Sequence, residues 1–199
     1  MEPRVEHQSG RRVVEVDAIG IVRTSRLMLR PLRESDHDEF LRVLACSRDH
    51  LGRYSTLHLP GEDDAGVFMR QCRLAREGDA RGTAWRRAGF LENGRLVGCF
   101  NINVITRGLS WTGDANWWVS ADQVGRGLGT EGMLALVDHA LSELPRGLGL
   151  HVLRAAIMPE NVRSVRQVTR AGFTPTGERV RLAVGSRWEM HELYERRAE

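Results

Sequence analysis

Ten residues constrain this chain most: Gln123-Val124-Gly125-Arg126-Gly127-Leu128-Gly129-Thr130-Glu131-Gly132. Asn116-Trp117-Trp118-Val119-Ser120, immediately upstream, reads as a strand, and Met133, Leu136, Val137, Ala140, Leu141 and Leu144 follow at helical spacing. A helix should therefore open at about Leu128 and run to Leu144. A glycine-rich turn feeding a helix N-terminus is suited to anions. Backbone N–H groups converge there, the helix dipole favours negative charge, and missing side chains let a phosphate reach the backbone. Arg126 adds a positive charge within the turn.

Two phosphate ligands fit poorly. A kinase-type P-loop needs Gly-Lys-Ser/Thr, and the chain contains no lysine. Gly127-Leu-Gly129-Thr-Glu-Gly132 matches the dinucleotide fingerprint literally. However, Ser120 to Val124 separate it from the strand, and the next candidate acid, Glu160, lies well past the roughly 20-residue spacing that fold uses.

Composition narrows the remaining classes. A chain of 199 residues with 41% hydrophobic and 28% charged residues fits one globular domain with a sizeable core. No apolar run approaches the roughly 18–20 residues a membrane span needs, and the polar start Met-Glu-Pro-Arg-Val-Glu-His does not read as a secretory signal. Cys46, Cys72 and Cys99 lie far apart without metal-ligand spacing, so reduced thiols and a cytoplasmic location are expected, with no metal. All 29 basic residues are arginine, yet they alternate with acids, so direct nucleic-acid binding is not expected.

Along the chain, residues 1–20 read as an arm or extra edge strand, with a short apolar patch at Val13-Val14-Glu15-Val16, and 21–199 as a single domain. Arg26 to Leu32 alternates as a first strand, and Ser35 reads as the cap of a helix carrying Phe40, Leu41 and Leu44. A second helix is expected from Glu62 to Glu77, ended by Gly78-Asp79. Strands at 84–91 and 95–104 flank the hairpin signal Asn93-Gly94, and a strand at 111–119 pairs next. A strand at 151–158, a helix at 161–171 and strands at about 178–184 and 187–196 complete the chain. The result is an α/β fold: a mixed, mostly antiparallel central sheet of six to seven strands flanked by about four helices.

A second patch, Met158-Pro159-Glu160-Asn161-Val162-Arg163-Ser164, ends a strand and starts a helix that Gly172-Phe173 closes. With Arg26-Leu27-Met28-Leu29-Arg30-Pro31-Leu32, Trp117-Trp118-Val119, Gly125 to Glu131, Trp188 and His191, it resembles the GNAT superfamily of acetyl-coenzyme A-dependent N-acetyltransferases. The nearest group is similar to the Rim-type N-terminal acetyltransferases of ribosomal proteins. The likeness covers residues 24–195 and rests on the order and spacing of the motifs.

The resemblance implies an acyltransferase that moves an acetyl group from acetyl-coenzyme A to a primary amine by direct attack in a ternary complex. It points to a protein N-terminal amine, or else a small-molecule amine; a non-catalytic module that binds acetyl-coenzyme A is the rival reading. The implied cofactor site comprises Trp118, Val119, Val124, Gly125, Arg126, Gly127, Leu128, Gly129, Thr130, Asn161 and Ser164. Ser164 is the implied proton donor to the leaving thiolate, because the position where many family members carry tyrosine holds Val168. Asp114, just upstream of the tryptophan pair, is the implied base, with His191 and Glu178 as alternatives. Val124 stands where the family normally has glutamine or arginine. The family admits a homodimer. Most of the five tryptophans should pack in the core, with Trp117 or Trp85 the candidates to line the acceptor cleft.

Overall fold

The computed structural model describes residues 15–16 and 20–199. The remainder of the arm expected at 1–20 lies outside the described residues. Nine strands form one sheet: β1 (Glu15–Val16), β2 (Val22–Arg23), β3 (Met28–Arg30), β4 (Trp85–Phe90), β5 (Leu96–Thr106), β6 (Thr112–Val119), β7 (Val152–Ile157), β8 (Thr174–Val184) and β9 (Arg187–Arg197). Their order is β1-β2-β3-β4-β5-β6-β7-β9-β8, and every neighbouring pair is antiparallel except β6 with β7. The mixed, mostly antiparallel α/β sheet expected from sequence is present. The count exceeds six to seven because β1 and β2 are two-residue strands, too short to leave an alternating pattern.

Four helices cover the sheet: α1 (His37–Gly52), α2 (Asp64–Arg81), α3 (Leu128–Leu141) and α4 (Val162–Arg170). On one face, Phe40, Val43 and Leu44 of α1 and Val67 and Phe68 of α2 pack against Ala88, Phe90, Cys99 and Trp118. On the other, Met133, Leu136 and Ala140 of α3 and Val168 of α4 pack against Phe100, Ile102, Leu153, Ile157 and Tyr194.

Local expectations shift where tertiary partners intervene. Ser35 does not cap α1. It sits in a 3-10 turn, Glu34–Asp36, and Asp36 is the N-cap residue. The Asp36 carboxylate accepts both Arg30 guanidinium nitrogens, at 2.6 and 2.8 Å, and the Arg33 N–H. Burial opposes ionisation of Asp36, but these donors outweigh it and hold the carboxyl below its ordinary value. Gly78 does not end α2. The helix runs to Arg81 and stops at Gly82, which takes the left-handed conformation at φ 65°. Gly78 serves packing instead, because a Cβ there would lie 2.7 Å from that of Ala84.

Of the tryptophans, Trp85 and Trp118 are core residues, while Trp188 is 65% exposed on the β8–β9 hairpin, at the end of the sheet order. No described helix is long and apolar enough to cross a membrane.

Two consequences can be measured. Gly132 on α3 faces the Phe100 ring so closely that a Cβ would overlap it, so Gly132→Ala should cost about 1–3 kcal/mol in a thermal or urea melt. His139 is buried, with its ring centroid 5.0 Å from that of Trp85. Burial first, then the Arg87 charge, lower its pKa to about 4. The unfolded imidazole titrates near 6.5, so between those values the unfolded chain binds a proton that the folded chain refuses. Stability should therefore fall as pH drops through that window, by up to about 3 kcal/mol. His139→Gln should flatten the slope if the attribution holds.

Candidate functional site

Strands β6 and β7 pair in parallel over three positions only: Thr112 with Val152, Gly113 with Leu153 and Asp114 with Arg154. Beyond them the strands part. β6 continues its ladder with β5 as far as Val119, so the outward backbone groups of alternate residues from Ala115 to Val119 face a gap with no strand partner. A cleft of about 990 Å³ fills the divergence, lined by Ala115–Val119, the glycine turn, the β7–α4 junction and the end of α1.

The turn forms one wall. Gly125 and Gly127 take φ 84° and 76°, which β-carbon sterics disfavour for other residues. A Cβ on Gly125 would meet nothing within 4 Å, so the backbone is bare on that side. Gly127 is the N-cap of α3 and no side chain caps this end, which leaves the first helical N–H groups available to an anion. Gly129 has a packing role: a Cβ there would fall 2.9 Å from Val119 Cγ2.

Glu131, in the first turn of α3, locks the turn to the segment before β3. Its Oε1 accepts from the Thr24 hydroxyl at 2.5 Å, the Ser25 hydroxyl at 3.0 Å and the Arg26 N–H at 2.9 Å, while Oε2 receives the Arg26 guanidinium at 2.6 Å. Arg26 also donates to the Arg126 carbonyl at 3.0 Å. Burial pushes the Glu131 carboxyl towards protonation, but the donors from Thr24, Arg26 and Ser25 prevail and keep its pKa low. The Arg126 side chain turns to Gln123 Oε1, 2.8 Å away. The loop before the turn is anchored from α1: the Ser47 hydroxyl accepts the Ala121 N–H, and Arg42 bridges Glu39 to Asp122.

The opposite wall is α4. Asn161 caps it, its Oδ1 accepting the Ser164 N–H at 3.3 Å, which leaves its amide N–H₂ for a ligand. Ser164 lines the cleft, and its hydroxyl has no partner among the described residues. Val168 is wholly buried in the core and cannot serve as a proton donor.

The site residues expected from sequence fall into three groups. Trp118, Val119, Val124, Gly125, Gly127, Gly129, Thr130, Asn161 and Ser164 line one cleft. Trp118 takes part through its backbone, because its ring packs edge-on to Phe40. Arg126 and Leu128 border the turn's other side, and Leu128 is core. Asp114 is not among the lining residues. It shares the sheet face of Asn116 and Trp118, two residues from Asn116 and level with Arg154. Although exposed there, it loses enough hydration to its neighbours that its carboxyl rises above the ordinary value, partly offset by Arg154.

His191 is buried, lines the cleft, and has Nδ1 3.0 Å from the Glu189 carbonyl oxygen. Glu178 is exposed on β8. Among the described residues, no cluster of three or more His, Cys, Asp or Glu side chains is arranged to hold a metal. Trp117 also lines the cleft, its indole N–H donating to Gln167 Oε1 at 2.8 Å.

Sequence reasoning missed Gln167, the Asp49–Ser55 stretch at the end of α1, and the arginines of α4, all of which line the cleft. The arginines had a legible signal in their spacing of three and four residues. Gln167 and Asp49–Ser55 had none, because only packing brings them to the glycine turn.

With this geometry in view, comparison with known proteins is informative. Residues 26–174 match the family model described as "Acetyltransferase (GNAT) domain". A probable N-acetyltransferase, YjcK, from Bacillus subtilis is 27% identical over 172 residues, 84% of this chain and 91% of that protein. The solved structure of Mycobacterium smegmatis RimJ in complex with CoA-disulfide superposes with a TM-score of 0.76 at 24% identity, covering 86% of this chain and 82% of that one. A ribosomal-protein-S5-alanine acetyltransferase from Vibrio fischeri gives 0.77 at 19% identity, covering 90% and 97%.

The Glu131 clamp supplies a test. Glu131→Ala leaves four donor groups without their acceptor and should cost on the order of 2 kcal/mol. Amide hydrogen exchange should quicken specifically across Gly125–Thr130, whereas an unchanged exchange pattern would show that the turn holds itself.

Proposed function

The chain belongs to the GNAT acetyltransferase family, and from that premise we propose that it transfers an acetyl group from acetyl-coenzyme A to a primary amine, that of a protein N-terminus. The observation that carries the reading is the splayed β6–β7 pair, whose gap opens onto the bare glycine turn at the start of α3 and onto Asn161 at the start of α4. An extended chain ending in phosphates meets, in order, unpaired strand backbone and then a helix N-terminus. The Rim-type structural neighbours, one of which is titled a ribosomal-protein-S5-alanine acetyltransferase, support a protein N-terminal amine as acceptor.

Acetyl-coenzyme A supplies an activated thioester, and the remaining demands fall on the chain. The turn from Gly125 to Thr130 holds the pyrophosphate through backbone N–H groups, and the free amide of Asn161 holds the pantetheine arm against β6. Bringing a neutral amine to attack distance in one cleft replaces a bimolecular encounter with an oriented one. Asp114, which stands outside the cleft lining and whose carboxyl is raised above its ordinary value, takes the amine proton through an intervening water. As the tetrahedral intermediate collapses and its C–S bond breaks, the Ser164 hydroxyl passes a proton to the leaving thiolate and takes one in turn from water in the cleft.

Free-thiol release from acetyl-coenzyme A, measured with N-terminal ribosomal-protein peptides and with a panel of small amines, tests the acceptor. Turnover with the peptides is expected. Turnover with small amines alone would replace the acceptor class, and coenzyme binding without turnover in either pool would leave a silent binding module.

A base must be deprotonated to act, so kcat should rise with pH through the raised Asp114 pKa. Asp114→Asn should remove that limb and lower kcat by about 10²-fold; loss of the limb in His191→Gln instead would transfer the role to His191. Ser164→Ala should lower kcat by roughly tenfold while leaving the KM for acetyl-coenzyme A near its original value.

A further inference from the structure

Helix α4 presents Arg163, Arg166 and Arg170 at steps of three and four residues, a single stripe on its surface, and all three line the cleft. Among the described residues, none of the three has a hydrogen-bond or ion-pair partner. Many arginines elsewhere on the surface are matched, as Arg154 is with Glu195, Arg179 with Glu192 and Arg48 with Asp64, whereas here three unmatched ones share a single stripe. Like charges at this spacing repel. Arg163 also sits in the first helical turn, where the dipole disfavours a cation and no acid offsets it. The fold thus carries an electrostatic cost that nothing among the described residues relieves.

The stripe divides by position. Gln167, between Arg166 and Arg170, stands directly against the glycine turn, because a Cβ on Gly129 would fall 2.5 Å from its Nε2. The hydrogen bond from Trp117 Nε1 to Gln167 Oε1 pins that contact. Arg166 and Arg170 flank it, one residue before and three after, and project from α4 beside the turn. Arg163 lies one helical turn nearer Asn161, and its charge reaches His50 on α1 across the cleft, contributing with burial to the lowered pKa of that imidazole. It therefore faces the α1 side of the cleft.

We propose that Arg166 and Arg170 form a second phosphate subsite, for the phosphomonoester on the ribose 3′ position of coenzyme A, separate from the pyrophosphate site at Gly125–Thr130. The assignment rests on the coenzyme reading above. A phosphomonoester carries close to two negative charges, and two guanidinium groups on one helical stripe match its charge and its oxygen geometry. The glycine turn offers neutral backbone N–H groups, so the two subsites differ in kind. Removing the arginines should alter discrimination by the 3′-phosphate and leave pyrophosphate binding intact.

The test is isothermal titration of the wild-type chain and of the double variant Arg166→Gln/Arg170→Gln with coenzyme A and with dephospho-coenzyme A, which lacks only the 3′-phosphate. The wild type should bind coenzyme A about tenfold or more tightly than the dephospho form. The double variant should bind the two equally, at the wild-type dephospho affinity, with a shallower dependence on salt. Unchanged affinity for dephospho-coenzyme A also reports that the variant is folded. Equal wild-type affinity for both ligands, or a variant that weakens both alike, would overturn the subsite and leave the coenzyme reading standing. No binding of either ligand by the wild type would overturn the coenzyme reading, and the subsite with it.

Discussion

Everything at the site depends on how short the one parallel contact in the sheet is. β6 and β7 share three residue pairs and then separate. Backbone groups left unpaired in a protein interior are costly, so a sheet rarely opens at its centre without something to fill it. Here the β6 edge is satisfied on its β5 side through Val119 and open on the other, and the gap so formed is the cleft. The chain crosses the same region with two helices that begin at the open end, α3 after Gly127 and α4 after Asn161. Both bring N-terminal N–H groups to one cavity.

Holding such a turn open takes support from outside it. Gly125 and Gly127 are chosen for backbone shape, and shape alone leaves a loop free to move. Glu131 reaches to Thr24, Ser25 and Arg26 on a segment more than 100 residues away in sequence, and Arg26 returns to the Arg126 carbonyl. From the other side, Arg42 and Arg95 converge on Asp122, and Ser47 receives the Ala121 N–H. The pairs to Asp122 are partly exposed, and each contributes little to global stability. Their value is positional: with the Glu131 clamp they fix the entry and exit of a loop in which, from Ala121 to Gly127, only Gln123 is buried. Because the end of α1 and the residues just after it also line the cleft, at His50 and Tyr54, the element that anchors the turn borders the cleft as well.

Alternation on β6 separates two functions. Ala115, Trp117 and Val119 face α3 and α4, where Trp117 orients Gln167 against the turn. Asp114, Asn116 and Trp118 face the side of α1 and α2, where Trp118 closes the core against Phe40. One strand thus borders the proposed coenzyme site on one face and the proposed proton acceptor on the other.

Much of this was legible in the linear sequence. Glycines at 125, 127 and 129 before a 3.6-residue apolar period require a turn and a helix, whatever surrounds them, because backbone sterics are local. The Asn93-Gly94 hairpin and the mixed α/β order followed from equally local signals, and motif order pointed to the family. Other features were decided by tertiary contact. Gly78 read as a helix stop but is a packing glycine against Ala84, and Ser35 read as a cap but yields to Asp36, which Arg30 claims. The tryptophans read as mostly core, yet Trp188 lies on an exposed hairpin. The parting of β6 from β7, the Glu131 clamp and the pairing of Gln167 with Gly129 join residues tens to more than a hundred positions apart. Sequence pattern records what a residue requires of its near neighbours. Which distant partner satisfies a carboxylate, or fills the space beside a glycine, is settled when the layers pack.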